Sequence, residues 1–222
     1  MASAAIAIDL VKEISRLTVR LVELGMVDDQ NVSVMTQHAG RRWRVAQSGA
    51  DMSVALKKQP YAEVYEELAT SGNYTLHMLD GALIQFSYAG GRAGIEQHRL
   101  AYLPAPDLEP YQNDPELYFG ENHFVDIVGH QVMPVPIRFD FDARPGVASD
   151  VTHPVSHVTL GQYQHCRVPV TRAILPSEFI TFILQSFYST PDHPQESFSS
   201  RILSSPRTIT HNESGLTHIA LP

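Results

Sequence analysis

Tyr74-Thr75-Leu76-His77-Met78-Leu79-Asp80-Gly81-Ala82-Leu83-Ile84-Gln85-Phe86-Ser87-Tyr88 is the stretch that decides the fold. Two apolar-rich segments flank Asp80-Gly81, a pair suited to the positive φ angles of a tight turn, so a β-hairpin on a type I′ turn is expected. Downstream, residues 97–103 read as a strand stopped by Pro104-Ala105-Pro106, and further strands are predicted over 135–142, 155–161 and 165–170. Residues 104–134, rich in Pro, Asp, Asn and Gly, read mainly as loops. Upstream, 31–36 and 42–45 read as short strands around His38-Ala39-Gly40.

Helices frame these strands. Leu10, Ile14, Leu17, Leu21 and Leu24 recur at three- and four-residue steps, which predicts an amphipathic helix ending near Gly25. Pro60-Tyr61-Ala62-Glu63 opens a second helix, with Gly72 just past its end. A last helix begins near Ser177 and carries Phe179, Ile180, Ile183 and Phe187 on one side. The pattern predicts an α+β fold: a mostly antiparallel β-sheet with an N-terminal amphipathic helix, a second short helix and a C-terminal helix packed on one face. Residues 1–189 are expected to form a single domain, and the polar, Pro- and Ser-rich residues 190–222 a loosely attached tail.

Composition narrows the class of protein. A chain of 222 residues buries roughly 70% of its unfolded surface, so neither disulfides nor a structural metal are required for folding. A single cysteine, Cys166, excludes an intramolecular disulfide and fits a reducing compartment. No apolar run approaches the roughly 20 residues that span a bilayer, and Met1-Ala2-Ser3-Ala4-Ala5-Ile6 lacks the basic start of a signal peptide. The reading is a soluble cytoplasmic protein with no membrane partner. A net charge of -8 opposes non-specific attraction to nucleic acid. Between residues 138 and 172, however, four Arg (138, 144, 167 and 172) outnumber three Asp (140, 142 and 150), with three His besides.

Candidate chemistry concentrates there, in His153-Pro154-Val155-Ser156-His157-Val158-Thr159-Leu160-Gly161, followed by Gln162-Tyr163-Gln164-His165-Cys166-Arg167. A strand sends successive side chains to opposite faces. With Ile137, Phe139 and Phe141 turned to the core, the outer face presents Arg138, Asp140, Asp142, His157, Thr159, His165 and Arg167. Four readings compete for that patch. Zinc is disfavoured for His153 with His157, because four residues of strand span about 13 Å. A set from His157, His165 and Asp140 is the ligand arrangement left open, and the chain is expected to carry no metal and no cofactor. Cys166 is expected to face inward, as a small core residue rather than a nucleophile. A His pair with Arg suits acid–base chemistry at a phosphodiester. Against all three stands a solvated ion-pair ladder with no catalytic role.

His157-Val158-Thr159-Leu160 resembles the His-x-Thr-x element of two-histidine phosphoesterases, whose second element finds here only His218-Ile219-Ala220-Leu221, without the hydroxyl residue. Over a longer span, Asp80-Gly81-Ala82-Leu83-Ile84-Gln85-Phe86, His98-Arg99-Leu100-Ala101-Tyr102-Leu103-Pro104, Arg138-Phe139-Asp140-Phe141-Asp142, the run 153–161 and Cys166-Arg167-Val168-Pro169-Val170 resemble bacterial proteins grouped as domain of unknown function 2290. The resemblance covers the chain to about Tyr188 and implies a single bacterial domain with a divergent tail. It implies no activity.

Two functions follow as expectations. One is a metal-independent phosphodiesterase or ribonuclease-like effector acting on RNA or another phosphodiester. His157 would be base or acid, His153 or His165 its counterpart, Arg138 and Arg167 the phosphate clamp, with Thr159 and Asp140 beside them. The other is a non-catalytic subunit, antitoxin-like or a scaffold, that binds a protein partner in a bacterial defence or toxin–antitoxin operon. The acidic balance suits a basic partner. The sequence sets no oligomeric state.

Overall fold

The computed structural model describes residues 2–49, 59–107, 135–163, 165–188, 198–202 and 205–221. The loop excursion expected from 104 lies outside the described residues over 108–134, as do residues 190–197 of the expected tail. The described elements are α1 (Ala2–Glu23), β1 (Val27–Gln30), β2 (Ser33–His38), β3 (Arg42–Gln47), α2 (Tyr61–Thr70), β4 (Leu76–Met78), β5 (Leu83–Gly91), β6 (Gly94–Leu103), β7 (Ile137–Asp142), β8 (Ser156–Leu160), β9 (Val168–Pro169), α3 (Pro176–Phe187) and α4 (His211–Ser214). The fold is α+β, with nine strands in one antiparallel sheet ordered β1-β4-β5-β6-β7-β8-β9, and the β2–β3 hairpin joined through β3 to β5. Among the described residues no helix is long and apolar enough to cross a membrane.

The hairpin stands where the sequence puts it, but on a different turn. Gly81 carries φ +79°, while Asp80 has no positive φ. Gly81 N–H donates to the Met78 carbonyl and Met78 N–H to that of Ala82. This is a three-residue loop closed by a left-handed glycine, the alternative to the two-residue type I′ form. Asp80 is thereby released to serve as an acceptor. It takes the Ala82 N–H at 3.1 Å and the Tyr188 hydroxyl at 2.9 and 3.1 Å. Burial pushes its carboxyl above the ordinary range against these bonds.

Strand alternation sorts two cores onto opposite faces. Ile84, Phe86 and Tyr88 of β5, with Leu100 and Tyr102 of β6, pack with α1 and α3. Leu83, Ala101 and Leu103, their alternates, pack instead with Val64, Tyr65 and Leu68 of α2. On α1, the residues whose spacing predicts the helix are its buried stripe: Leu10, Ile14, Leu17 and Leu21 are each 0–1 % exposed. Glu13 on the same helix accepts the Ser177 N–H at 3.0 Å, placing a carboxylate where the unsatisfied amides at the start of α3 favour one.

Residues 198–202 and 205–221, which composition assigns to a loose tail, make specific contacts with the sheet. Val170 and Ile219 form a parallel bridge, with Ile219 N–H to the Pro169 carbonyl at 2.9 Å and Thr171 N–H to the Ile219 carbonyl at 3.1 Å. Phe198, Ile202, Ile219 and Leu221 pack against the larger core. Their spacing shows no period because each reaches the core from irregular chain.

His98 ties the sheet to α3. Its Nε2 accepts the Ile174 N–H at 3.0 Å, and its ring stacks on Phe141 with centroids 5.5 Å apart. Burial pushes its pKa down to about 4. An unfolded chain takes up that proton near pH 6.5, so stability is full above that value and falls as pH drops toward the folded pKa. Urea titrations should show a loss of about 2 kcal/mol from this group between about pH 7 and about pH 5. His98→Gln should flatten that slope; an unchanged slope would mean that His98 is not the responsible group.

Candidate functional site

On the part of the α2-side face of the sheet that α2 does not cover lies a cavity of about 490 Å³. Its lining draws on five strands and the loops before β8 and β9, and includes Arg44, Arg99, Arg138 and Arg167. Four arginines against Asp140 and Asp142 make this a cationic hollow in an acidic protein.

Register builds its centre. Arg99 of β6 lies opposite Asp140 of β7, and Asp140 lies opposite His157 of β8. Arg99 Nε reaches Asp140 Oδ1 at 2.8 Å and Arg138 Nε reaches Oδ2 at 2.6 Å. Burial draws the Asp140 carboxyl upward, but the two guanidinium groups outweigh it and hold the group below its ordinary value. Asp140 is therefore ionised at neutral pH and fixes both arginines. His157 Nε2 stands 4.0 Å from Asp140 Oδ2, and Thr159 faces Arg138 across the strand pair. Asp142 is taken up by Arg144 at 2.7 Å and Gln97 at 2.9 Å.

The two histidines expected to lie apart come together. Ring centroids of His153 and His157 are 5.2 Å apart. The expected separation assumes continuous strand from 153, whereas β8 begins at Ser156 and the preceding chain folds back on itself through a Ser149–His153 bridge. His157 Nδ1 lies 2.9 Å from the Pro154 carbonyl and His153 Nδ1 lies 3.0 Å from that of Val147. A carbonyl oxygen only accepts, so Nδ1 carries the proton in both rings and Nε2 is left for a second partner. Burial pushes the His157 pKa down, helped by His153 and Arg167 and opposed by the Pro154 carbonyl and Asp140. His157 is thus neutral near pH 7, as a general base must be.

The loop carrying His153 is held under strain. Val151, a β-branched residue, has φ +66°, a backbone conformation that costs energy and persists only where neighbours enforce it. Asp150 beside it accepts from Thr210 Oγ1 at 2.5 Å and Asn212 Nδ2 at 2.6 Å. Val151 N–H reaches Glu213 Oε1 at 3.4 Å, and Glu213 is buried. Residues of the expected tail therefore brace the loop that presents His153.

Of the residues proposed from sequence, His157, His153, Arg138, Arg167 and Asp140 share the cavity, and Thr159 borders Arg138. His165 does not join them. The strand expected over 165–170 is only Val168–Pro169, and His165 sits exposed in the preceding turn. That removes the zinc set of His157, His165 and Asp140, and among the described residues no three His, Cys, Asp or Glu side chains converge as ligands. Cys166, expected to turn into the core, is half-buried in the same turn. Sequence reasoning missed Arg44, Arg99 and Gln97. The signal was present: Arg99 and Gln97 alternate with Leu100 and His98, and Arg44 lies between the buried Trp43 and Val45.

No curated protein and no solved structure matches this chain. The cavity lies wholly within residues 26–221, which match the model of the family described as "Uncharacterized conserved protein (DUF2290)", and the chain belongs to that family.

Proposed function

We propose that the cavity cleaves RNA at its phosphodiester backbone by acid–base catalysis. The observation that carries this reading is the His153–His157 pair, rings 5.2 Å apart with both Nδ1 atoms committed to backbone carbonyls, in a cavity lined by four arginines. RNA brings its own nucleophile, so these side chains can by themselves supply what the reaction needs. His157 Nε2 takes the proton of the ribose 2′-hydroxyl, the 2′-oxygen forms a bond to phosphorus, and the bond from phosphorus to the 5′-oxygen breaks. His153 Nε2 gives a proton to the departing 5′-oxygen. Arg167 and Arg138 balance the charge that develops on the phosphoryl oxygens. Asp140 acts through Arg138 and Arg99, holding them in place.

The test is incubation of the purified chain with an RNA oligonucleotide in the presence of a chelator. Fragments ending in 2′,3′-cyclic phosphate are expected, and 2′-O-methylated RNA should resist because its nucleophile is blocked. Intact RNA under all conditions sinks the proposal, and a stoichiometric protein partner recovered with it would select the binding reading instead.

A further inference from the structure

The four arginines of the cavity are not equivalent. Arg99 and Arg138 are committed to Asp140. Arg167 makes one hydrogen bond among the described residues, to the Thr152 carbonyl at 3.4 Å. Arg44, half-buried on β3, has no carboxylate partner among the described residues. The two arginines without a carboxylate partner among the described residues therefore come from β3 and from the loop before β9, with β5, β6, β7 and β8 between them.

Topology sets the backbone separation between Arg44 and the histidine pair. From β3 the sheet steps through β5, β6 and β7 to β8, which carries His157. Four steps between neighbouring strands of about 4.8 Å each amount to about 19 Å. At a stacked rise of roughly 3.4 Å per nucleotide that distance takes up to about six nucleotides, and fewer in an extended strand. A single nucleotide at the histidine pair spans only part of that backbone distance. Between the ends, β5 contributes Ser87 and Ala89 to the lining, small side chains that leave a low floor. Gln97 and the paired arginines flank it with hydrogen-bond donors.

We infer that the cavity is a track for single-stranded RNA running across the strands, with the scissile phosphate at His153, His157 and Arg167 and a second phosphate, several nucleotides along, at Arg44. This rests on the RNA reading of the histidine pair and adds what that reading lacks, a requirement for substrate length. A duplex holds its phosphates on a stiff outer cylinder and its bases inside. Two arginines facing into one cleft fit a flexible single strand better.

The test uses 2′-O-methylated oligonucleotides, which bind without being cut, and follows fluorescence anisotropy for a dinucleotide and a hexanucleotide. Arg44→Gln should weaken hexanucleotide binding about tenfold and lower the salt-dependence slope by about 0.7, the share of one phosphate contact on a single strand. Dinucleotide binding should not change, and Arg44→Lys should recover part of the loss. Equal weakening of both lengths, no weakening of the hexanucleotide, or no hexanucleotide binding by the unaltered chain would each overturn the track. Cleavage is read separately on unmodified RNA. A length-dependent effect of Arg44 with RNA left intact would remove the catalytic reading and keep the track. Cleavage that is indifferent to Arg44 at every length would do the reverse.

Discussion

On the proposed mechanism, replacing His157 by alanine should lower the rate of RNA cleavage by about 10²- to 10⁴-fold, the contribution typical of a positioned general base. The expectation follows from geometry and charge together. His157 is 5 % exposed, its tautomer is set by the Pro154 carbonyl, and its pKa is held down by burial. The loss should fall on kcat, with binding of 2′-O-methylated RNA little changed. The pH profile separates this role from a structural one. The base must be unprotonated, so the unaltered chain should gain rate as pH rises through the lowered pKa of His157, and that acid limb should vanish in the variant. His157→Gln, which refills most of the space, guards against misfolding. A folded variant that cleaves at the original rate overturns the assignment.

Asp140→Ala should destabilise the fold by about 1–3 kcal/mol, the cost of leaving the hydrogen bonds of two partly buried guanidinium groups unmade. Arg99 reaches this carboxylate from the neighbouring strand β6, and Arg138 reaches it from two residues earlier on β7 itself. Without it two like charges face each other in a partly desolvated cavity. The pH dependence has a definite sign. The folded carboxyl titrates below its ordinary value of 3.8, so its contribution is fully present above that pH and is lost as pH falls through the lowered value. Urea midpoints near neutral pH should drop in the variant, and the unaltered and variant proteins should converge in strong acid. A variant as stable as the original at neutral pH would show that the two arginines find other partners.

Much of this molecule can be read from its sequence, for one physical reason. Alternation along a strand depends only on the strand being there. Ile137, Phe139 and Phe141 are buried, Arg138, Asp140 and Asp142 face the other way, and His157 and Thr159 join the latter group as their parity requires. The stripe of α1 follows from the same kind of period. Parity fails where the strand stops. Three residues before β8 the chain turns, so His153 approaches His157 although strand spacing sets the two apart. Pro169 and a strand of two residues likewise undo the placement of His165. Distant pairings were out of reach altogether. Nothing local to Asp150 announces Thr210 or Asn212, and nothing local to Asp80 announces Tyr188.

The brace on the strained loop also has a consequence in time. Asp150 and Thr210 are 60 residues apart. A ribosome adding roughly 5–20 residues per second delivers the second about 3 to 12 seconds after the first. All strands from β1 to β9 precede Thr210 in the chain and can pair before the clamp on Asp150 and Val151 exists. During the interval His157 has its place in the sheet while His153 still waits for its support. A chain capable of cutting RNA would thus acquire its shape first and its cutting pair afterwards, a delay written into the order of its residues.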